Sequence, residues 1–480
     1  MNSNIPNDAD NKSKIPLIIA IILYRIMLTY GYYSVISKYY EYSGFVNQSD
    51  ITNTILSWCI FILSIPLIIN IINNKERISS IIMTMMYFLM FVPNTVLIST
   101  TKFSLKYIIL SSVYWYLLFA GMNMVNKIPI ISNEDDTDEE KSDYSGFISI
   151  IGFFSFLIVI YISARYAHFR LNFNLFTVYE LRNEARSYNL PKIFQYLFSW
   201  TRAINPILLG YCISNRKYFI SIVLFITQML SFGIDGMKST FFICVLTVIF
   251  TLLYNNGTIQ KFNRTMVYGF LFLSVLSLLE YTFVGSFNII SIMIRRIMFL
   301  PNLINYYYFD YFQVHTPDYF RGSIFEYIGF SSPYDRLGYT IGDVYFSYPN
   351  MNANNGMIAD AVTNLGNYGF LIMPIVIVGV FYLLDRVSSG IKIKIMIAAS
   401  MYIAIQLINS FLTTTLLTHG LLVVFIILKI LPKNLSDDLE SEKNEKENNS
   451  GYAIEHNSNG NTDSNSSTHN IAIVSHKDAL

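Results

Sequence analysis

The sequence predicts an all-α, polytopic integral membrane protein with about 11–12 transmembrane helices and two large extracytoplasmic loops. Three observations lead there. Hydrophobic residues make up 53% of the 480 positions. Charged residues make up 14%, where an ordinary soluble domain carries roughly 25%. Apolar runs recur along most of the chain, and a bilayer-crossing helix needs about 20 such residues. This profile excludes a disordered protein, a nucleic-acid binder and a disulfide-stapled module. Cys59, Cys212 and Cys244 all fall inside apolar runs and read as small buried hydrophobes.

Residues 1–14 form a short polar tail, expected in the cytoplasm. The membrane body then spans 15–431, with apolar runs near 15–36, 51–72, 78–98, 105–125, 145–164, 196–214, 218–234, 237–254, 265–284, 368–384, 393–411 and 414–431. The first run is too long for a signal-peptide core and has no small-residue cleavage site, so it reads as an uncleaved anchor. Only Asn409, Ser410 and the Thr413–Thr415 cluster interrupt the last two runs, which leaves the count at eleven or twelve. The acidic loop at about 126–144 and the polar tail 432–480 lack the apolar content to build a core and read as solvated cytoplasmic segments.

The formal net charge of +1 conceals a segregation. Residues 133–143 carry net −6, residues 434–480 carry net −6, and the remainder is therefore +13. With the N-terminus inside, the cytoplasmic connections hold Lys75, Arg77, Arg216, Lys217, Lys261, Arg264, Arg386, Lys392, Lys394, Lys429 and Lys433. That is the positive-inside bias. The two long connections expected outside, about 165–195 and 285–367, oppose it. The first holds Arg165, Arg170, Arg182, Arg186 and Lys192, and the second holds Arg295, Arg296, Arg321 and Arg336.

Residues 177–188, TVYELRNEARSY, are compatible with a helix on which Arg182 and Arg186 share one face while Glu180 and Glu184 fall nearly opposite. Two guanidinium groups without a local carboxylate form a fork suited to phosphate oxygens. A helix lying on the membrane, its arginines on lipid phosphates, is the plainer alternative. SFNIISIMIRRIMFL at 286–300 is too short and too charged to span, and is expected to re-enter the membrane or lie along it. Between 301 and 350 lie sixteen Tyr or Phe residues, an interfacial belt or a sugar-facing surface. At 228–240 a glycine turn carries Asp235 and Lys238, read as a local pair or a functional pair. Arg25, Arg202 and Glu280 are lone charges in apolar runs, with structural ion pairing the favoured explanation. His168, His315 and His419 are too dispersed for a metal pattern, and neither a P-loop nor a GxSxG elbow occurs.

Residues 341–370, IGDVYFSYPNMNANNGMIADAVTNLGNYGF, resemble the stretch before a late transmembrane helix in bacterial oligosaccharide repeat-unit polymerases, the Wzy-type polymerases of O-antigen and capsular polysaccharide. Ala353, Asn354, Asn355, Gly356, Asp360, Gly366 and Gly369 carry the match. The GIDGMKSTFF turn at 233–242 resembles that family's glycine-plus-basic hairpin, and VYELRNEAR at 178–186 its first basic outer loop. The acidic loop and the polar tail are not part of the pattern.

The resemblance implies a glycosyltransferase of the bacterial inner (plasma) membrane, with both termini cytoplasmic. It would move a growing glycan from undecaprenyl diphosphate onto a new lipid-linked repeat unit on the outer face, without metal or other cofactor. A chain-length regulator is an implied partner, beside the lipid bilayer and the lipid-linked glycan. The departing diphosphate needs preorganised cations, and Arg182, Arg186, Lys238, Arg295, Arg296 and Arg321 are the available ones. The attacking hydroxyl needs a general base. Glu180, Asp343, Asp360 and His315 are the candidates, with Glu180 or Asp343 preferred. An O-antigen ligase and a repeat-unit flippase are the rival readings. A flippase would carry its charges within the helices around a central cavity.

Overall fold

The computed structural model describes residues 8–130, 145–170, 181, 184, 185, 187–254, 257–323, 325–334 and 336–433. Among these the chain is all-α, and eight helices are long and apolar enough to cross a membrane. The protein is therefore a polytopic membrane protein, as its composition predicts. In chain order its helices are α1 (Asp8–Gly31), α2 (Ile51–Ile72), α3 (Ile78–Thr100), α4 (Leu105–Val125) and α5 (Gly146–Ala167). Then come α6 (Lys192–Ser214), α7 (Tyr218–Asp235), α8 (Lys238–Leu253), α9 (Ile259–Leu279) and α10 (Leu300–Val314). The last are α11 (Leu337–Phe346), α12 (Met357–Leu365), α13 (Gly369–Ser388), α14 (Ile393–Asn409), α15 (Leu412–Leu416) and α16 (Leu421–Ile430).

Helix α3 is the hub. Every residue from Ile78 to Thr100 is buried, with α2, α9, α13 and α14 packed around it. A helix apolar all round belongs in the middle of a bundle, and the small polar residues of α3 are no obstacle because they bond to their own helix. Thr84 Oγ1 donates to the Ser80 carbonyl at 2.7 Å, Thr95 Oγ1 to Val92 at 2.7 Å and Ser99 Oγ to Val96 at 2.7 Å. On one flank α1 packs on α9 and α4 on α13; on the other, α5, α7 and α8 surround α6, which abuts α14.

The basic α2–α3 and α8–α9 connections meet the end of α13 at one end of the bundle. Asp385 on α13 accepts from the Ser79 backbone N–H at 2.9 Å and from the Ser79 hydroxyl at 2.7 Å. It also pairs with Arg77 Nη1 at 3.3 Å, both side chains being buried. The carboxylate thus satisfies one of the free N–H groups at the start of α3. Arg77 also donates to the Ile128 carbonyl. Asn73 Oδ1 accepts from Arg264 Nη2 at 2.7 Å, which joins the α2–α3 and α8–α9 connections.

The opposite end differs from the expected long open loops. The stretch after α9 is continuously helical from Ile290 to Val314, first as a π-helical segment and then as α10. It packs inside the bundle, with Asn302, Asn305 and Tyr308 buried. The apolar segment 286–300 thus runs on into α10. Glu280 starts this unit. It accepts from Ser286 Oγ at 2.6 Å, Asn288 N at 3.1 Å and Ile289 N at 2.8 Å. Glu280 therefore caps a helix, where the sequence predicts an ion pair.

The run 414–431 is not one span. It divides into α15 and α16, because Gly420 takes a left-handed φ of 73° and the His419 N–H reaches back to the Thr414 carbonyl at 2.9 Å. Non-helical backbone inside a membrane bundle needs partners from the protein itself. Here the Asp360 carboxylate supplies one, accepting the Leu412 N–H at 2.7 Å.

Candidate functional site

At the end opposite the basic one, five segments converge: the first half of α6, the end of α7, the start of α8, the end of α14 and the turn 410–420. Gly236, with a φ of 63°, reverses the chain between α7 and α8. That reversal holds Asp235 beside α6. Arg202 Nη1 donates to Asp235 Oδ2 at 2.6 Å, and the Arg202 guanidinium also lies over the Phe198 ring, 4.5 Å from its centre. Asp235 Oδ1 accepts the Met237 N–H at 3.1 Å, which ties the carboxylate to the turn.

His419 enters from the other side. Its Nε2 lies 3.0 Å from Ser410 Oγ and its Nδ1 3.4 Å from Ser199 Oγ. Tyr402 donates its hydroxyl to the His419 carbonyl at 2.7 Å, and Trp200 Nε1 donates to the Leu417 carbonyl at 2.9 Å. Gly420 is obligatory on two counts: its φ is 73°, and a Cβ would sit 2.9 Å from Trp200 Cδ1. Ser199, Arg202, Thr240, Tyr402, Gln406 and His419 line a polar cavity with room for about one water molecule. A sugar does not fit inside it. A single phosphate oxygen or hydroxyl at its mouth would meet a fixed cation, an imidazole and several hydroxyls.

The residues singled out in the sequence distribute as follows. Lys238 opens α8, directly after Met237, which also lines the cavity. Arg295 stacks on Tyr40, its guanidinium carbon 4.0 Å from the ring centre, and Arg296 follows it, half-buried. Arg321 is turned onto its own loop, with Nε on the Asp318 carbonyl at 2.8 Å and Nη2 on the Pro317 carbonyl at 3.2 Å. Asp343 is exposed on α11. His315 is exposed and stacks on Tyr311 at 3.8 Å, with Nδ1 2.8 Å from the Tyr311 carbonyl. Glu180, Arg182 and Arg186 lie outside the described residues. Their neighbour Glu184 pairs with Arg170, whose hydrogen bond holds its carboxyl below the ordinary range.

Asp360 is enclosed completely, at 0% exposure. One oxygen accepts from Asn364 Nδ2 at 2.6 Å and the other from the Leu412 N–H at 2.7 Å. Its place is inside the protein, holding the turn that bears His419, and a substrate hydroxyl does not reach it there. The other residues of the same stretch also serve packing. Asn355 Nδ2 donates to the Pro301 carbonyl at 2.7 Å and to Asn305 Oδ1 at 2.9 Å. Among the aromatic residues, Tyr307 and Tyr345 stack with centroids 4.5 Å apart, and the Tyr345 hydroxyl donates to exposed Asp310 at 2.7 Å.

Asp235 is held by Arg202, the structural ion pair expected of that arginine, in a bridge between α6 and the end of α7. Arg25, buried in α1, is held by the Ser57 carbonyl at 3.2 Å, by Ser57 Oγ at 2.6 Å and by the Trp58 ring face at 3.9 Å, in place of a carboxylate. The grouping of Arg202, Asp235 and His419 is not apparent from sequence spacing. The available signal was that each is an ionisable group within or at the edge of an apolar run. Comparison with protein-family models, with curated proteins and with solved structures finds no match for the chain.

Proposed function

We propose that this protein is a glycosyltransferase that lengthens glycans carried on undecaprenyl diphosphate, at the outer face of a bacterial plasma membrane. The observation that carries the reading is that Arg202, paired with Asp235, and His419 line one polar cavity at the end opposite the basic α2–α3 and α8–α9 connections. By the positive-inside rule that end faces outward, where exported lipid carriers present their head groups. The resemblance of 341–370 to repeat-unit polymerases supports the same assignment.

In this reading Arg202, with Lys238 at the start of α8, stabilises the charge that develops on the departing diphosphate. His419, its ring held by two serine hydroxyls, takes the proton of the attacking sugar hydroxyl. The bond from the anomeric carbon to diphosphate oxygen breaks as the new glycosidic bond forms, and lipid diphosphate leaves. Asp360 positions the turn.

A flippase is the second reading, favoured by Arg25 and Asp360 lying buried within helices. One experiment separates the two. Purified protein in liposomes receives a defined undecaprenyl-diphosphate oligosaccharide, without nucleotide or metal. A transferase yields a ladder of longer products, and Arg202→Ala abolishes it. Unchanged substrate in that assay overturns the proposal.

A further inference from the structure

Asp360 has an environment that the transferase reading does not use. Its carboxylate is wholly buried and, among the described residues, takes part in no salt bridge. The two groups that bond to it, Asn364 Nδ2 and the Leu412 N–H, are neutral donors. They occupy one site on each oxygen, whereas an ionised carboxylate offers about four. A desolvated charge with no counter-charge is strongly unfavourable.

Three buried hydroxyl groups on neighbouring segments have no hydrogen-bond partner among the described residues. Thr363, one helical turn after Asp360, and Thr413, the residue after Leu412, are at least nine-tenths buried, and their Oγ1 atoms have no hydrogen-bond partner among the described residues. The same holds for the fully buried Tyr114 hydroxyl, which lies within electrostatic reach of the Asp360 carboxylate. Buried polar atoms are nearly always satisfied by protein, water or an ion.

We propose that Asp360, with the hydroxyl oxygens of Thr363, Thr413 and Tyr114, forms an internal binding site for one monovalent metal cation, for which Na⁺ is the probe. One carboxylate neutralises one positive charge, and neutral oxygens complete the shell that hard cations take. Among the described residues no three His, Cys, Asp or Glu side chains are grouped so as to hold a metal ion, so the site rests on a single carboxylate. The cation locks α12 to the turn 410–420 and so steadies the segment that carries His419.

The test uses the full chain purified in detergent, and does not depend on any enzymatic activity. Thermal midpoints are measured over a series of NaCl concentrations against choline chloride at equal ionic strength. Ligand linkage predicts a midpoint that climbs by several degrees with Na⁺ and stays flat in choline. Asp360→Asn should remove the dependence. Thr363→Val and Thr413→Val, which keep the fold's shape, should each shift half-saturation to higher Na⁺. Identical midpoints in the two salts for the unmodified protein overturn the site, and unchanged half-saturation in both valine variants overturns its hydroxyl shell. A flat cation response leaves the glycan ladder untouched, so the two proposals fail separately.

Discussion

Asp360 and Leu412 are 52 positions apart in sequence, yet the carboxylate of one accepts the backbone N–H of the other at 2.7 Å. This bond joins the interior of α12 to the first turn of α15, where the chain leaves helical geometry inside the bundle. The same turn then delivers His419 to Ser199 on α6 and to Ser410. A buried carboxylate on α12 is thus connected, through one backbone hydrogen bond, to the candidate site.

Removing that acceptor should loosen the turn. Asp360→Ala leaves the Leu412 N–H without a partner in a water-poor interior, at about 1–3 kcal/mol for an unsatisfied buried donor. A cysteine placed at Thr415, buried in the native protein, should react with a membrane-permeant thiol reagent faster in the Asp360→Ala background. Equal labelling rates in the two backgrounds would show that the turn holds without Asp360.

Arg202 is predicted to matter for activity more than for folding. Its pair with Asp235 is partly open to solvent, at 13% and 20% side-chain exposure, so stability should change only modestly when either is replaced. If Arg202 stabilises a departing diphosphate, Arg202→Ala should lower chain extension by about 100-fold or more. Arg202→Lys should recover little, since a point charge does not reproduce a guanidinium fork. Product ladders from membranes with matched protein levels check this. A full-length ladder from Arg202→Ala removes Arg202 from the mechanism.

The Arg77–Asp385 pair should behave in the opposite way. Both side chains are buried, at 3% and 0%, and Asp385 also holds the N-terminus of the central helix through Ser79. Asp385→Ala strands a buried guanidinium, a change that typically costs about 3–5 kcal/mol. The expected outcome is a large fall in thermal midpoint and in the folded yield from detergent. The double variant Arg77→Met with Asp385→Leu should recover part of it, because removing both charges removes the stranded one.

The fold was legible in the sequence because the bilayer imposes it. Most hydrophobic runs of crossing length are helices in the structure, whereas 414–431 is split and α10, α11 and α12 lie outside any of the runs. What was not legible follows from three-dimensional pairing. Arg202 and Asp235 sit at the edges of different runs, and nothing local says that they meet. Glu280 looks like a buried charge in need of a cation, yet three donors from the next nine residues satisfy it. Asp360 is an acid in an otherwise uncharged stretch, and the sequence does not say whether it faces substrate or protein. The stretch 286–300 reads as a re-entrant or surface-lying segment because it is short and carries two arginines. In the structure the Tyr40 ring takes Arg295, and Pro301 falls just where the π-helical segment passes into α10.

The glycines around α12 and α13 allow a prediction with an internal control. Gly356 and Gly369 lie where backbones touch: a methyl group on Gly356 would collide with the Leu407 and Ile408 carbonyl oxygens, and one on Gly369 with the Ala361 carbonyl oxygen. Backbone atoms cannot swing aside as a side chain can, so either alanine must push α12 away from α14 or from α13. Overpacking of this kind costs about 1–3 kcal/mol. Gly379, on α13 with nothing within 4 Å of an added Cβ, should instead gain up to about 1 kcal/mol from the better helix propensity of alanine. Thermal midpoints of Gly356→Ala, Gly369→Ala and Gly379→Ala should therefore fall, fall and hold or rise. Because Gly356→Ala strains the segment that ends in Asp360, it should also raise the labelling rate of a cysteine at Thr415, whereas Gly379→Ala should leave that rate unchanged. Three equal midpoints would mean that α12 does not sit against α13 and α14 as described, and the link from Asp360 to the His419 turn would go with it.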